Sequence, residues 1–286
     1  MTDNHTHRPG PWDPKPGSAL ATPGATANAR TPAAAAGAPP VQGQSLVWAL
    51  ISTALLGGFL WFFSGSWVVA VAAIWGLLVH EYGHVLAMNR YGMGPAKIYI
   101  IPFLGGMARG QRLPDSEWEG VKVSLAGPAF GLLAAIPFFV LFMVLGGKVW
   151  LLGAVVIAAI NLVNLAPAPP LDGSRALGPV LARIHPMVEK GAMIAMGGLV
   201  VLWGISNGSY IFAAFLALAL FGHLRRGAWR PEGRPLSGAE AGYSVGLFVL
   251  AAVACAGVAM AALIPLTDGT ATGALTIAGN YLGFGR

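Results

Sequence analysis

The 286-residue chain is 56% hydrophobic and only 10% charged, with a mean hydropathy of +0.67, whereas an ordinary soluble domain is about a quarter charged. So few polar groups cannot cover a globular surface, so a soluble fold is excluded and lipid must be the main solvent. The formal net charge of +6 would suit nucleic acid only if basic residues clustered on one soluble face; they lie instead in short links between apolar runs, where positive charge sets membrane topology.

Residues 1–44 are rich in Ala, Pro, Thr and Gly without apolar periodicity, which predicts a disordered tail. His5 and His7 are solvated there and receive no role. The first apolar segment begins only near Leu46, so no cleavable signal peptide is visible. Seven apolar spans follow, at about 46–63, 67–88, 121–145, 149–166, 187–205, 209–224 and 243–265. Read as one helix, Met187 to Leu224 would far exceed the hydrocarbon thickness at about 1.5 Å per residue; the Ser206-Asn207-Gly208-Ser209 turn divides it. The expected organisation is a tail at 1–44, a transmembrane domain at 45–265 and a C-terminal tail at 266–286. Cys255, the single cysteine, lies in the last span, so the chain has neither an intrachain disulfide nor a cysteine-built metal cluster. It reads as a packing residue.

Loop charges fix the orientation. The links near Ser64–Ser66, Gly146–Lys148 and Ser206–Ser209 carry only Lys148. The alternate links carry Arg90, Lys97, Arg109, Arg112 and Lys122, then Arg175, Arg183 and Lys190, then Arg225, Arg226, Arg230 and Arg234. These alternate links are therefore expected on the cytoplasmic side, with the N-terminal tail. Seven spans would put the C-terminus outside, six inside. Arg109 and Arg112 read as topology or lipid-headgroup contacts. Trp48, Trp61, Trp67, Trp150 and Trp229 sit near the interfaces as an aromatic belt would. His185 and His223, at span ends, read as interfacial anchors. Between spans, Lys97-Ile98-Tyr99-Ile100-Ile101-Pro102-Phe103 is β-branched and aromatic and is flanked by Gly92, Gly94, Gly105 and Gly106. It reads as a short strand or hairpin at the membrane surface, with a plain connecting loop as the alternative.

The second span contains His80-Glu81-Tyr82-Gly83-His84. Residues four apart share a helix face, so both imidazoles can reach one metal, and the intervening glutamate can serve as general base on metal-bound water. Glu81 is the only acidic residue in that apolar span, and ionisable groups at membrane depth are costly. A buried His–Glu pair satisfying itself between helices is the bland alternative. Catalytic zinc usually takes three protein ligands, so a third is wanted at similar depth. Asp172, in Asn164-Leu165-Ala166-Pro167-Ala168-Pro169-Pro170-Leu171-Asp172-Gly173, is the candidate. Its prolines cannot continue a helix, and broken backbone inside a bilayer is tolerated only against protein or a water-filled cavity. An ordinary helix exit with an Asp-Gly turn is the alternative. His80 lies about 20 Å into its span and Leu165 about 24 Å into the fourth, both counted from the outer side, so the motifs reach similar depth.

Together, His80-Glu81-Tyr82-Gly83-His84 and Asn164 through Gly173 resemble the paired motifs of site-2 proteases, the intramembrane zinc metalloproteases. Ala126-Gly127-Pro128, opening the third span, resembles the Gly-Pro element often found between them. The resemblance covers about 67–185. It implies an all-α polytopic membrane protein of six to seven transmembrane helices with a three-helix catalytic core, to which 94–110 would add a membrane-associated β-hairpin. It implies one zinc ion on His80, His84 and Asp172, Glu81 as general base, and Asn164 as a hydrogen-bonding partner of the substrate backbone. Transmembrane segments of membrane-tethered proteins would be the substrates, unwound and paired with the 94–110 segment, in a lipid environment and without nucleic acid. Composition and loop charge suggest a prokaryotic inner membrane with the site toward the cytoplasm. PDZ or CBS modules, found in some relatives, are not expected within these 286 residues. The rival is a non-enzymatic transporter or metal-ion carrier using the same His/Glu/Asp cluster, since intramembrane ionisable residues also mark ion pathways; only one Pro-rich break is evident, where a repeat-built transporter should have two.

Overall fold

The computed structural model describes residues 42–103, 105–226, 233–267 and 269–282. Most of the stretch read as an N-terminal tail, including His5 and His7, lies outside the described residues, as do Trp229 and Arg230. Ser45 begins the first helix, α1 (Leu46–Ser64), by accepting the Trp48 N–H, and Gly65 ends it in a left-handed conformation at φ +65°. Ser66 then starts α2 (Trp67–Arg90) through the Val69 N–H. Such serine caps stabilise a helix start by about 1 kcal/mol each. They turn the chain within three residues.

The run that reads as strand or loop forms an antiparallel hairpin, β1 (Lys97–Ile101) with β2 (Gly105–Arg109), in the register Lys97↔Arg109 to Ile101↔Gly105. At its base Arg112 donates to Gly92 O and pairs with Asp115. That makes Arg112 a staple of this connection as well as a surface cation. Ser116 caps α3 (Glu117–Gly131), which contains Pro128 and passes through a tighter turn at Leu132–Ala135 into α4 (Ile136–Leu145). Pro137, one residue into α4, lacks the N–H that Leu133 O would accept in a regular α-helix, which accounts for the local tightening.

α5 (Val149–Asn164) ends in the Pro-rich turn. The next element, α6 (Asp172–Ile184), is a helix where hydropathy suggests only a link, and here the fold departs from expectation. With Arg175 and Arg183 on it and only 13 residues, it is amphipathic and too short to span. His185 caps the next helix, α7 (Pro186–Ser206), by accepting the Met187 N–H at 3.1 Å. Then come α8 (Tyr210–Arg226), α9 (Gly238–Leu266) and α10 (Ala271–Leu282). α1, α2, the α3–α4 run, α7 and α9 are long and apolar enough to cross a bilayer, and α5 and α8 are shorter apolar helices. They coincide with the seven sequence spans.

α2 is central, packed on α3 and α5, with α9 against α5 and α6 against α3 and α9. Small residues let these backbones approach, as bilayer packing favours: Ala72, Ala154 and Ala158 are fully buried. Cys255 is buried as well. Outward, Phe62, Phe63, Leu202 and Leu250 are exposed, an apolar surface for lipid rather than water. α2 and α3 approach tightly at Gly83, where a Cβ would lie 2.5 Å from the Ala126 carbonyl oxygen. Gly83→Val should therefore force α2 from α3 at a cost of about 1–3 kcal/mol, lowering the Tm in detergent by roughly 3–10 °C. An unchanged melting curve by circular dichroism would contradict that packing.

Candidate metal centre

His80, Glu81 and His84 share the second half of α2, and Asp172 opens α6. All three α2 residues are buried, His80 to 1% exposure and Glu81 and His84 to 6%. The Pro-rich turn brings the Asp172 carboxylate back to them. Its Oδ2 lies 3.0 Å from His80 Nε2 and 3.2 Å from His84 Nε2. The two Nε2 atoms are 3.1 Å apart.

The far side of each ring decides which atoms carry protons. His84 Nδ1 is 2.8 Å from the Val123 carbonyl oxygen, which can only accept, so Nδ1 carries the proton. His80 Nδ1 is 2.9 Å from Asn161 Oδ1. The Asn161 amide is oriented by its Nδ2, which donates to Ile157 O at 2.8 Å, so the oxygen faces the imidazole and His80 Nδ1 is likewise the donor. Both Nε2 atoms therefore turn lone pairs toward a carboxylate oxygen that has no hydrogen-bond partner of its own. Three lone pairs within 3.2 Å of one another repel. One proton could bridge only a single pair. A metal cation satisfies all three, and two imidazole nitrogens with one carboxylate oxygen is a donor set that divalent transition metals accept.

Supporting groups hold each of the three side chains. Ser124 Oγ donates to the main-chain carbonyl of Asp172 at 2.7 Å, tying α6 to α3. A Cβ at Gly127 would lie 2.3 Å from His84 Nε2 and 2.8 Å from His80 Nε2, so only glycine leaves space for the ligand atoms. At Gly131 a Cβ would lie 2.1 Å from Asn161 Oδ1, so this second glycine admits the amide. Glu81 points to the other side, toward the hairpin: Gly106 of β2 packs on its Cγ, and the Ala108 backbone N–H faces its carboxyl.

Four of the five residues singled out by sequence thus meet at one place, three of them as potential ligands. The fifth, Asn164, ends α5 with its Nδ2 donating to Ile160 O of its own helix at 3.0 Å. Sequence reasoning missed Asn161, fully buried one helical turn earlier. A buried amide in an apolar helix was the available signal, but its partner lies on another helix.

The chain matches the model of Peptidase family M50 over residues 68–149. The match takes in α2 and ends before Asp172, so the place of Asp172 beside the two histidines rests on geometry and motif. Among curated proteins, the chain is 28% identical over 150 residues to sll0528 of Synechocystis, covering 49% of the chain and 38% of that protein. It is 30% identical over 170 residues to Rip3 of Mycobacterium tuberculosis, covering 56% and 41%. Both are provisionally designated zinc metalloproteases. To the zinc metalloprotease MJ0392 of Methanocaldococcus jannaschii it is 24% identical over 158 residues, covering 51% and 45%. The chain therefore spans less than half the length of these relatives. No solved structure matches it.

Asn161→Leu, which removes the acceptor behind His80, should weaken metal binding by about 10–100-fold, as loss of an outer-shell partner typically does. Asn161→Asp, which keeps an acceptor there, should retain most of it. Competition against a chromophoric chelator reads both; equal affinity of Asn161→Leu and wild type would contradict the role.

Proposed function

We propose that this chain is an intramembrane zinc metalloendopeptidase, similar to Peptidase family M50, that hydrolyses peptide bonds within transmembrane segments of membrane-tethered proteins. The observation that carries the reading is the convergence of His80 Nε2, His84 Nε2 and Asp172 Oδ2, with the Glu81 carboxyl on the same helix. The zinc-metalloprotease designations of the relatives support zinc as the ion. Held by the three side chains, zinc would supply Lewis acidity to the scissile carbonyl and to water.

The chain's own residues do the rest. Glu81 accepts the proton of the attacking water and returns it to the departing amine nitrogen. Asn161 and Val123 keep the His80 and His84 tautomers fixed while charge changes around them. Asn164, whose Nδ2 is committed to Ile160 O, offers its Oδ1 to a substrate main-chain N–H. A helix must unwind before its peptide bonds are accessible, and unwound backbone in lipid needs hydrogen-bond partners. Strand addition to the hairpin beside Glu81 provides them.

His84 precedes Arg90 at the end of α2 by about 9 Å of helix. Because basic residues concentrate at that end, the reading sets the site near the cytoplasmic face of a prokaryotic inner membrane.

Purified Glu81→Gln should retain its zinc, measured by metal analysis, while cleavage of a model transmembrane substrate falls by at least about 10²–10⁴-fold. Undiminished cleavage by Glu81→Gln would refute the assignment. Metal transport into liposomes, with no cleavage by wild type, would favour an ion carrier.

A further inference from the structure

The hairpin has two edges, and only one of them borders Glu81. In an antiparallel pair, facing residues alternate between those that exchange hydrogen bonds and those whose N–H and C=O groups point outward. Ile100↔Gly106 and Ile98↔Ala108 are of the second kind. Two independent contacts fix this parity: the Ala108 N–H faces Glu81 on the β2 side, and both Ile100 backbone groups bond away from β2. Gly106 and Ala108 thus present main-chain groups toward Glu81, while Ile98 and Ile100 present theirs toward α1.

At Ile100 those groups are already taken. The Gln44 side chain accepts the Ile100 N–H through Oε1 at 2.9 Å and donates to Ile100 O through Nε2 at 3.0 Å. A carboxamide has the same donor and acceptor spacing as a peptide group, so Gln44 reproduces the pair of bonds that one residue of an added strand would make. The same Nε2 contacts Ser52 Oγ, 3.2 Å away and fully buried on α1. Nearby, the Tyr99 hydroxyl donates to Gln42 O, and Gly43 lies against the Lys97 side chain. The segment leading into α1 therefore runs along β1.

We infer that Gln44 is an edge plug that denies the β1 edge to substrate and directs an unwound segment to the Gly106–Ala108 edge beside Glu81. Both edges of an isolated hairpin are templates for strand addition. A segment on the β1 edge would lie about 14 Å, three strand spacings, from one on the β2 edge, out of reach of the metal ligands. This assignment rests on the proteolytic reading above.

Gln44→Met keeps the side-chain length and removes both hydrogen bonds. Non-productive binding on the opened edge should then lower kcat and KM by the same factor, about twofold if the edges bind equally, with kcat/KM unchanged. A fall in kcat at constant KM would mean a merely structural role, and a rise in kcat/KM would mean that Gln44 obstructs the productive edge; either overturns the proposal. A second measurement uses Glu81→Gln protein and a substrate carrying one cysteine. Disulfide capture should occur with Ala108→Cys and not with Ile98→Cys, and adding Gln44→Met should open capture at Ile98→Cys. Capture there while Gln44 is present, or none after its removal, contradicts the plug. Failure of wild type to cleave, with no capture at Ala108→Cys, defeats the proteolytic reading instead.

Discussion

Repulsion among three converging lone pairs is the constraint on which this molecule depends. His80, His84 and Asp172 are held with their acceptor atoms face to face in a buried place where water cannot separate them. Such an arrangement is unfavourable without a cation and strongly favourable with one, because charges interact strongly at low dielectric. The neighbouring structure removes each escape. Asn161 and the Val123 carbonyl stop the imidazoles from turning their N–H groups inward, Ser124 holds the backbone of Asp172, and the Gly127 backbone closes over the ring nitrogens.

The bilayer explains why the helices are arranged around that point. A Pro-rich turn and an open-edged hairpin both expose main-chain groups that lipid cannot satisfy, so each must lie on protein. The turn that joins α5 to α6 packs on α7 and α8, with Ala168 and Leu171 buried in one cluster with Leu216. The hairpin lies against α2 on one side and α1 on the other. On the cytoplasmic side of the proposed topology, the 233–237 stretch crosses from α3 to α6: Glu117 accepts the Leu236 N–H and Arg183 donates to Leu236 O. This strap fixes the helix that carries Asp172 relative to the one that carries Ser124.

How much of this was legible in the sequence depends on the range of each interaction. The His80/His84 pair is local, four residues apart on one helix, and spacing alone reveals it. Asp172 is distant, but three prolines mark the break that presents it. The hairpin announces itself through β-branched residues between glycines. α6 escapes notice because hydropathy reports crossing segments, and a short helix bearing Arg175 and Arg183 reads as a charged link. Asn161 and Gln44 are invisible for a different reason. Each is one amide whose meaning lies wholly in a partner 81 or 56 residues away, and Gln44 sits in a stretch whose composition suggests no structure. Asn164 drew attention through the motif, but its Nδ2 bonds its own helix.

X-ray absorption at the zinc edge of the purified, metal-loaded protein reads the ligand shell itself. Binding by His80, His84 and Asp172 gives a shell of nitrogen and oxygen only, with outer-shell scattering from two imidazoles, falling to one in His80→Ala. A sulfur ligand, a different imidazole number, or a spectrum indifferent to His80→Ala would contradict it.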